Sequence, residues 1–334
     1  MTRTHLVQIL VILIISALAI TYWQMRPTQQ HVSTESVRIT MHLWPGYFHS
    51  FIAKENGYFT EEGVDVDLQI VEDVDGNLAN FQSDNVDSAF CLQSDAMLLA
   101  AKGVAIQIVY VADFSNGGDV IVSKTEIKSI AYMKGKTISV DKINGFNHIF
   151  LVKLLNLNGL SESDVTIVAV SAKDVPEALA SERIDAGQTW EPYQSQAIVD
   201  GYRLLASTED APGIVTDVLM FKSEFVKRRP EDVRKIVKAL FRALKFREAE
   251  EIHSYSIMSK ATGVSPGSLK GTVRGNIFPD LEGNIAAMTE SGQPTSLYSS
   301  GQIISTFFVE KGLIEHPLRL EEILDPGIVR GIKQ

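Results

Sequence analysis

The chain has 334 residues, is 45% hydrophobic and 22% charged, and carries a net charge of −10. That size suits about two globular domains and excludes a disordered chain, and the acid excess argues against a nucleic-acid binder, whose affinity rests on surplus Lys and Arg. The single cysteine, Cys91, excludes an internal disulfide and a cysteine-rich metal site, and the seven histidines show no zinc-ligand spacing, so neither a metal nor a cofactor is expected.

The amino terminus reads as an export signal. Arg3 precedes the apolar run "LVQILVILIIS" (Leu6 to Ser16), and "ALA" follows at Ala17 to Ala19. This is the order of a secretory signal peptide cleaved after Ala19. An uncleaved anchor is the alternative, because the apolar stretch extends through Trp23 to 18 residues, near the lower limit for a bilayer span. Residues 1–30 are therefore assigned to a signal or anchor and 31–36 to a polar linker. Either reading exports the remainder of the chain to the periplasm or the extracytoplasmic face of the membrane.

From Val37 the apolar pattern alternates between strand and helix periods. "VRITMHLW" is strand-like, "YFHSFIAKENG" has helical spacing and stops on Gly57, and "VDVDLQIV" alternates as a half-buried strand. A short helix ("DGNLANFQS"), a strand ("VDSAFCL") and a helix ending on Gly103 follow. The β-α-β-α-β-α order predicts an α/β fold with a mainly parallel sheet flanked by helices.

The same order returns about a hundred residues later. Gly46-Tyr47 aligns with Gly145-Phe146, His49 with His148, and Asp87 with Asp185, the spacing being 41 residues in the first half and 40 in the second. Two similar lobes are expected. Between them, "IQIVYVADFSNGGDVIVSK" reads as two apolar strands around a glycine-paired turn, a natural crossing point, and "GIVTDVLMF" is a second. The expected division is 37–112 with 217–334 in lobe one and 113–216 in lobe two. Ligands of open parallel sheets bind beyond the carboxyl ends of the strands. That rule directs attention to Trp44 to Tyr47, Val71 to Asp75 and Gln93 to Asp95 in the first half, and to Asn144 to His148, Ser171 to Asp174 and Thr189 to Glu191 in the second. Asp73 and Asp174 are also well placed to cap helices.

An ordered series of segments carries a family likeness: "WPGYFHSFIAKENGYFTEEGVDV", "QSDAMLLAAKG", "DFSNGGDVIV", "MKGKTISV", "LLNLNGLSESDV", "EALASERIDAG", "WEPY" and "FKSEFVKRRPEDV". From residue 37 to about 330 the chain resembles the periplasmic substrate-binding proteins of ABC importers, in the nitrate, sulfonate, taurine and thiamine-precursor (NMT1/THI5-like) group. The resemblance implies a two-lobed type II periplasmic-binding-protein fold that closes over a small-molecule ligand and delivers it to a permease in the inner membrane. It implies ligand contacts from Trp44 and Tyr47, from Gln93, Ser94 and Asp95, and from Asp113, Ser115, Gly117, Gly118 and Asp119. In the second half it implies Gly145, Phe146, Asn147 and His148, with Trp190 and Glu191. Trp44 and Trp190 offer flat faces for stacking or for cations.

The candidate loops depart from what an anion binder needs. They carry Asp73, Asp75, Asp95, Asp113, Asp119 and Glu191, with Lys142 and Lys173 as the nearby cations. A desolvated carboxylate prefers a cation or an N–H donor. An amine or aminopyrimidine-like ligand is therefore favoured over nitrate or a sulfonate. A monomer without enzymatic activity is expected; the related pyrimidine-synthase class needs a cysteine-rich segment that one cysteine cannot supply. The alternative function is a sensor accessory that docks the same lobes on a membrane signalling protein.

Overall fold

The computed structural model describes residues 35–332 apart from residue 84. The expected signal or anchor and most of the linker lie outside the described residues. Among those described, no helix is long and apolar enough to cross a membrane.

Eleven strands form two sheets among the described residues. The first contains β1 (Val37–Met41), β2 (Val66–Ile70), β3 (Ser88–Leu92), β4 (Ile106–Ser115), β10 (Thr216–Lys222) and β11 (Asn276–Ile277), in the order β11-β4-β10-β3-β1-β2. The second contains β5 (Asp119–Ser123), β6 (Thr137–Val140), β7 (Thr166–Ala169), β8 (Ala186–Trp190) and β9 (Arg203–Ser207), in the order β7-β6-β8-β5-β9. The duplication seen in the sequence is thus a duplication of topology. β1 lies between parallel partners β2 and β3, and β6 lies between parallel partners β7 and β8. Each parallel triad is then extended by antiparallel strands: β10 and β4 in the first sheet, β5 and β9 in the second.

The chain passes between the sheets twice, from β4 to β5 and from β9 to β10. The first falls at the glycine-paired turn, and the second, over residues 208–215, leads into the apolar run that starts at Gly213 and forms β10. At the first, Gly117 takes a φ of 95°, its N–H donates to Thr208 Oγ1 at 2.8 Å, and Asn116 N donates to Gly275 O at 2.8 Å. Gly118 packs so closely against Gly275 that a Cβ on either would meet the other's backbone. The turn is therefore pinned by backbone approach, which only glycine allows.

The helices follow their sequence signals. His49–Glu55 ends before Gly57, whose φ of 72° stops it. Asp73 caps Val74–Gln82 by accepting from Gly76 N at 2.7 Å. Asp174 precedes Val175–Ala180 without a side-chain capping bond, so of the two expected caps only Asp73 acts as one. Pro230 opens the 20-residue helix Pro230–Ala249, which buries Val233, Ile236, Val237, Leu240, Phe241 and Leu244 along one face at three- and four-residue spacing. The apolar core is filled by the strands' alternate or fully buried faces, with β3, β5 and most of β4 buried throughout.

Candidate functional site

A cavity of about 710 Å³ opens at the carboxyl ends of the parallel strands, lined by residues from both sheets. Its volume falls in the range of small-molecule sites. From the first half come Trp44, directly after β1, the start of the helix Val74–Gln82, and Asp95 in the first turn of Gln93–Ala101. From the second come Lys142, Gly145, Phe146 and Asn147 after β6, and Trp190 at the end of β8. Asp119 and Asp217 come from the two crossing strands, β5 and β10.

The aromatic walls are oriented by neighbours. Trp44 Nε1 donates to Asp113 Oδ2 at 3.2 Å. Trp190 lies beside Phe146, with ring centroids 6.5 Å apart and planes tilted by 34°. Gly46 lets the loop after β1 close onto β4, since a Cβ there would run into the Asp113 carboxylate. Asn147 is buried; its Oδ1 accepts from Lys142 N at 3.3 Å, while its Nδ2 has no protein partner.

The electrostatics are dominated by carboxyls. The lining contains Glu72, Asp73, Asp75, Asp95, Asp119, Asp141 and Asp217 against Lys102 and Lys142. Lys142 is engaged with Asp75 across the lip at 2.5 Å. Asp73 and Asp141 are taken up by backbone N–H groups of Gly76 and Ala172. Asp119 accepts from Ser115 Oγ at 2.7 Å and from Gln188 Nε2 at 3.1 Å. Burial still pushes its carboxyl up to about 6 against those two bonds. Asp95 Oδ2 has no partner, and burial raises this carboxyl to about 7 although Lys142 pulls it down. Asp217 is raised to about 8 by burial, against the hydrogen bond that Tyr47 donates to it and helped by Asp119 and Asp95. Asp113, fully buried, is held well above the usual carboxylate range by burial and by Asp217. His42, also in the lining, is driven down to about 4 by burial and is neutral at pH 7.

The residues expected at the site divide. Trp44, Asp95, Asp119, Gly145, Phe146, Asn147 and Trp190 line the cavity. Asp113 and Tyr47 stand behind it, each fully buried and each bonded to a lining residue, Trp44 and Asp217 respectively. The others are not among the residues that line it. Gln93 ties the helix Leu297–Glu310 down, donating to Leu297 O at 2.7 Å and accepting from Ser300 Oγ at 2.7 Å. Ser94 is buried without a partner for its hydroxyl. Ser115, Gly117 and Gly118 build the crossing turn. His148 packs edge-on to Phe307 and lies 3.2 Å from Glu162. Glu191 turns from the cavity to accept from Ser195 N and Oγ, at 3.2 and 2.8 Å, at the start of the helix Tyr193–Val199.

Asp217 is a lining residue that the sequence reading does not single out. It sits in "GIVTDVLMF", where the apolar run was read only as a crossing strand. An acid inside such a run was the available signal, because a fully buried Asp is rare unless something is arranged around it.

Residues 44–250, more than half of the chain, match the family described as "NMT1/THI5 like". The chain belongs to the NMT1/THI5-like family. A "Putative binding protein" of Brucella abortus (strain 2308) is 25% identical over 273 residues, covering 80% of this chain and 82% of that protein. The periplasmic aliphatic sulphonate binding protein SsuA from Escherichia coli superposes with a TM-score of 0.72 at 16% identity, covering 89% of this chain and 100% of that one. The desulfurization enzyme DSZB superposes with a TM-score of 0.61 at 16% identity, covering 88% and 98%. The architecture is the two-sheet α/β fold of type II periplasmic binding proteins, a fold that also carries an enzyme.

Proposed function

We propose that this chain is the extracytoplasmic solute-binding protein of an ABC importer, and that its ligand is a small organic cation or amino-bearing planar ring. The family membership and the curated relatives support the binding role. One observation carries the ligand class: Asp95, Asp119 and Asp217 line the cavity, with Asp113 behind them, and the side-chain partners of Asp113 and Asp217 among the described residues are a neutral indole and a neutral phenol. A cationic or N–H-rich ligand supplies the missing partners, and Trp44 and Trp190 supply faces for a flat ring. Asn147 Nδ2 adds one unpartnered donor for a ring acceptor.

On this reading the protein acts in the periplasm or on the outer face of the membrane. It works as a monomer, closes over its ligand and presents it to a permease. Its proposed task is to bind and orient the ligand.

One observation favours a second ligand class. The helix Phe146–Leu157 opens on the cavity at Gly145, and a helix N-terminus suits an anion. Native mass spectrometry of the gently purified protein, followed by a thermal-shift panel, separates the two. A ligand at 100 times its Kd adds about 2.7 kcal/mol of stability. Stabilisation by amines, amidines or aminopyrimidines upholds the proposal. Stabilisation confined to sulfonates or nitrate keeps the binding role and replaces the ligand class. In the first case Trp190→Ala is expected to weaken binding by roughly 10- to 100-fold, as loss of a central aromatic contact does.

A further inference from the structure

Asp113 and Asp217 are direct partners in the register of β4 and β10, the two strands that carry the chain toward and back from the second sheet. Directly opposed side chains on adjacent strands lie close together, and two like charges there repel. Both residues are buried, at 0% and 2% exposure. Each has one donor from the loop after β1: Trp44 Nε1 for Asp113 and the Tyr47 hydroxyl for Asp217. Asp113 Oδ1 has no hydrogen-bond partner among the described residues. Asp217 lines the cavity, so the pair connects the ligand space to the strands of the crossing.

Among the described residues, the titratable surroundings offer no compensating cation. Facing the pair are Tyr47 from the loop after β1, Cys91 from β3, Asp95 from the helix Gln93–Ala101, Tyr110 from β4 and Asp119 from β5. Arg247 acts on Tyr110, not on the pair. Two carboxylates in such a site cannot both ionise at low cost, and one proton held between them removes the repulsion.

We propose that Asp113 and Asp217 share one proton in the ligand-free protein, and that a cationic ligand entering the cavity takes the place of that proton. The balance is simple. The empty site holds one carboxylic acid and one carboxylate; the occupied site holds two carboxylates and the ligand's positive charge; one proton leaves to solvent. The pair would make affinity for a cation rise with pH and would tie charge at the crossing to occupancy. This inference rests on the cationic reading of the ligand.

Infrared spectroscopy of the full chain at pH 7.5 tests it, in an Asp95→Asn background that removes the other partnerless carboxyl. A protonated-carboxyl band is expected, and its frequency should shift in both Asp113→Asn and Asp217→Asn, because each substitution removes the carboxylate that shares the proton. No band, or a band left unshifted in either single variant, overturns the sharing. Benzamidine, benzylamine and agmatine are then added as probes to this background and to wild-type protein, with binding judged in the wild type, where Asp95 is intact. Loss of the band with release of one proton per probe bound supports the displacement; binding with the band intact overturns it. Failure of every cation to bind, with the band present in ligand-free protein, overturns both the displacement and the cationic reading while leaving the shared proton standing, so the two failures are told apart.

Discussion

Asp87 and Asp185 occupy matching places in the two sheets, just before the third strand of each parallel triad. Asp87 accepts from the backbone N–H and guanidinium of Arg38 at 2.9 to 3.1 Å; Asp185 accepts from Thr137 N and Lys124 Nζ, both at 3.0 Å. Each pins the first strand of its own triad and arrives with a cation of its own. Asp113 and Asp217 also face neighbouring strands, but they face each other, and their donors are a neutral indole and a neutral phenol. The first pair shows what an acid looks like when the fold uses it. The second shows acids that the fold tolerates and a ligand would complete.

That contrast can be broken most sharply through pH. Asp95, Asp119 and Asp217 hold their protons up to about 7, 6 and 8 in the fold, against 3.8 ordinarily. At these three groups the folded chain binds more protons than the unfolded chain, so their contribution to stability falls as pH rises from about 4 to about 8, whereas buried His42, driven down to about 4, works in the opposite sense below its ordinary value of 6.5. Melting temperature should therefore decline between about pH 6.5 and 8 in the ligand-free protein. Asp217→Asn should flatten the decline and melt above wild type at pH 8, with the advantage gone by pH 5. Asp185 behaves oppositely: its carboxyl lies below the ordinary value, held there by Thr137 and Lys124 against burial, so its contribution is lost only as pH falls through the acid range.

The next effect concerns the structural acids. Asp87→Ala removes the acceptor shared by the Arg38 backbone N–H and guanidinium, and should cost about 2 to 3 kcal/mol in a denaturant titration. The same experiment on Asp217→Asn at pH 8 should show no loss. Equal destabilisation of the two would erase the distinction drawn between them.

The smallest effect is at the cavity lip. Lys142 and Asp75 are 60% and 72% exposed, and such a pair contributes about 0 to 1 kcal/mol. Lys142→Ala should leave the melting temperature nearly unchanged while raising the dissociation rate of a bound ligand in stopped-flow measurements, because the pair joins residues that follow β2 and β6 in different sheets.

Much of the fold was legible because its signals are local. Alternation gave β2, Gly57 and Gly103 ended helices, and the glycine-paired turn marked the crossing. The repeat of Gly46 and Asp87 at Gly145 and Asp185 became two parallel triads of the same order. At the site, Trp44, Asp95 and Trp190 were legible because strand ends dictate where a loop must open. Glu191 and Gln93 shared that position, but rotamer and partner sent them elsewhere, to Ser195 and to the helix Leu297–Glu310. Asp217 was hidden for the opposite reason. Its meaning depends on Asp113 across the sheet, and no local pattern reports a register between distant strands.

The central claim is that the cavity reads positive charge. Isothermal titration of the purified protein at pH 7.5 with benzylamine and with benzenesulfonate compares one ring carrying opposite charges. Benzylamine is expected to bind more tightly by at least about tenfold, a difference of about 1.4 kcal/mol, and its affinity to fall as pH is lowered toward 5.5. Tighter binding of benzenesulfonate, strengthening as pH falls and the carboxyls are neutralised, would contradict it.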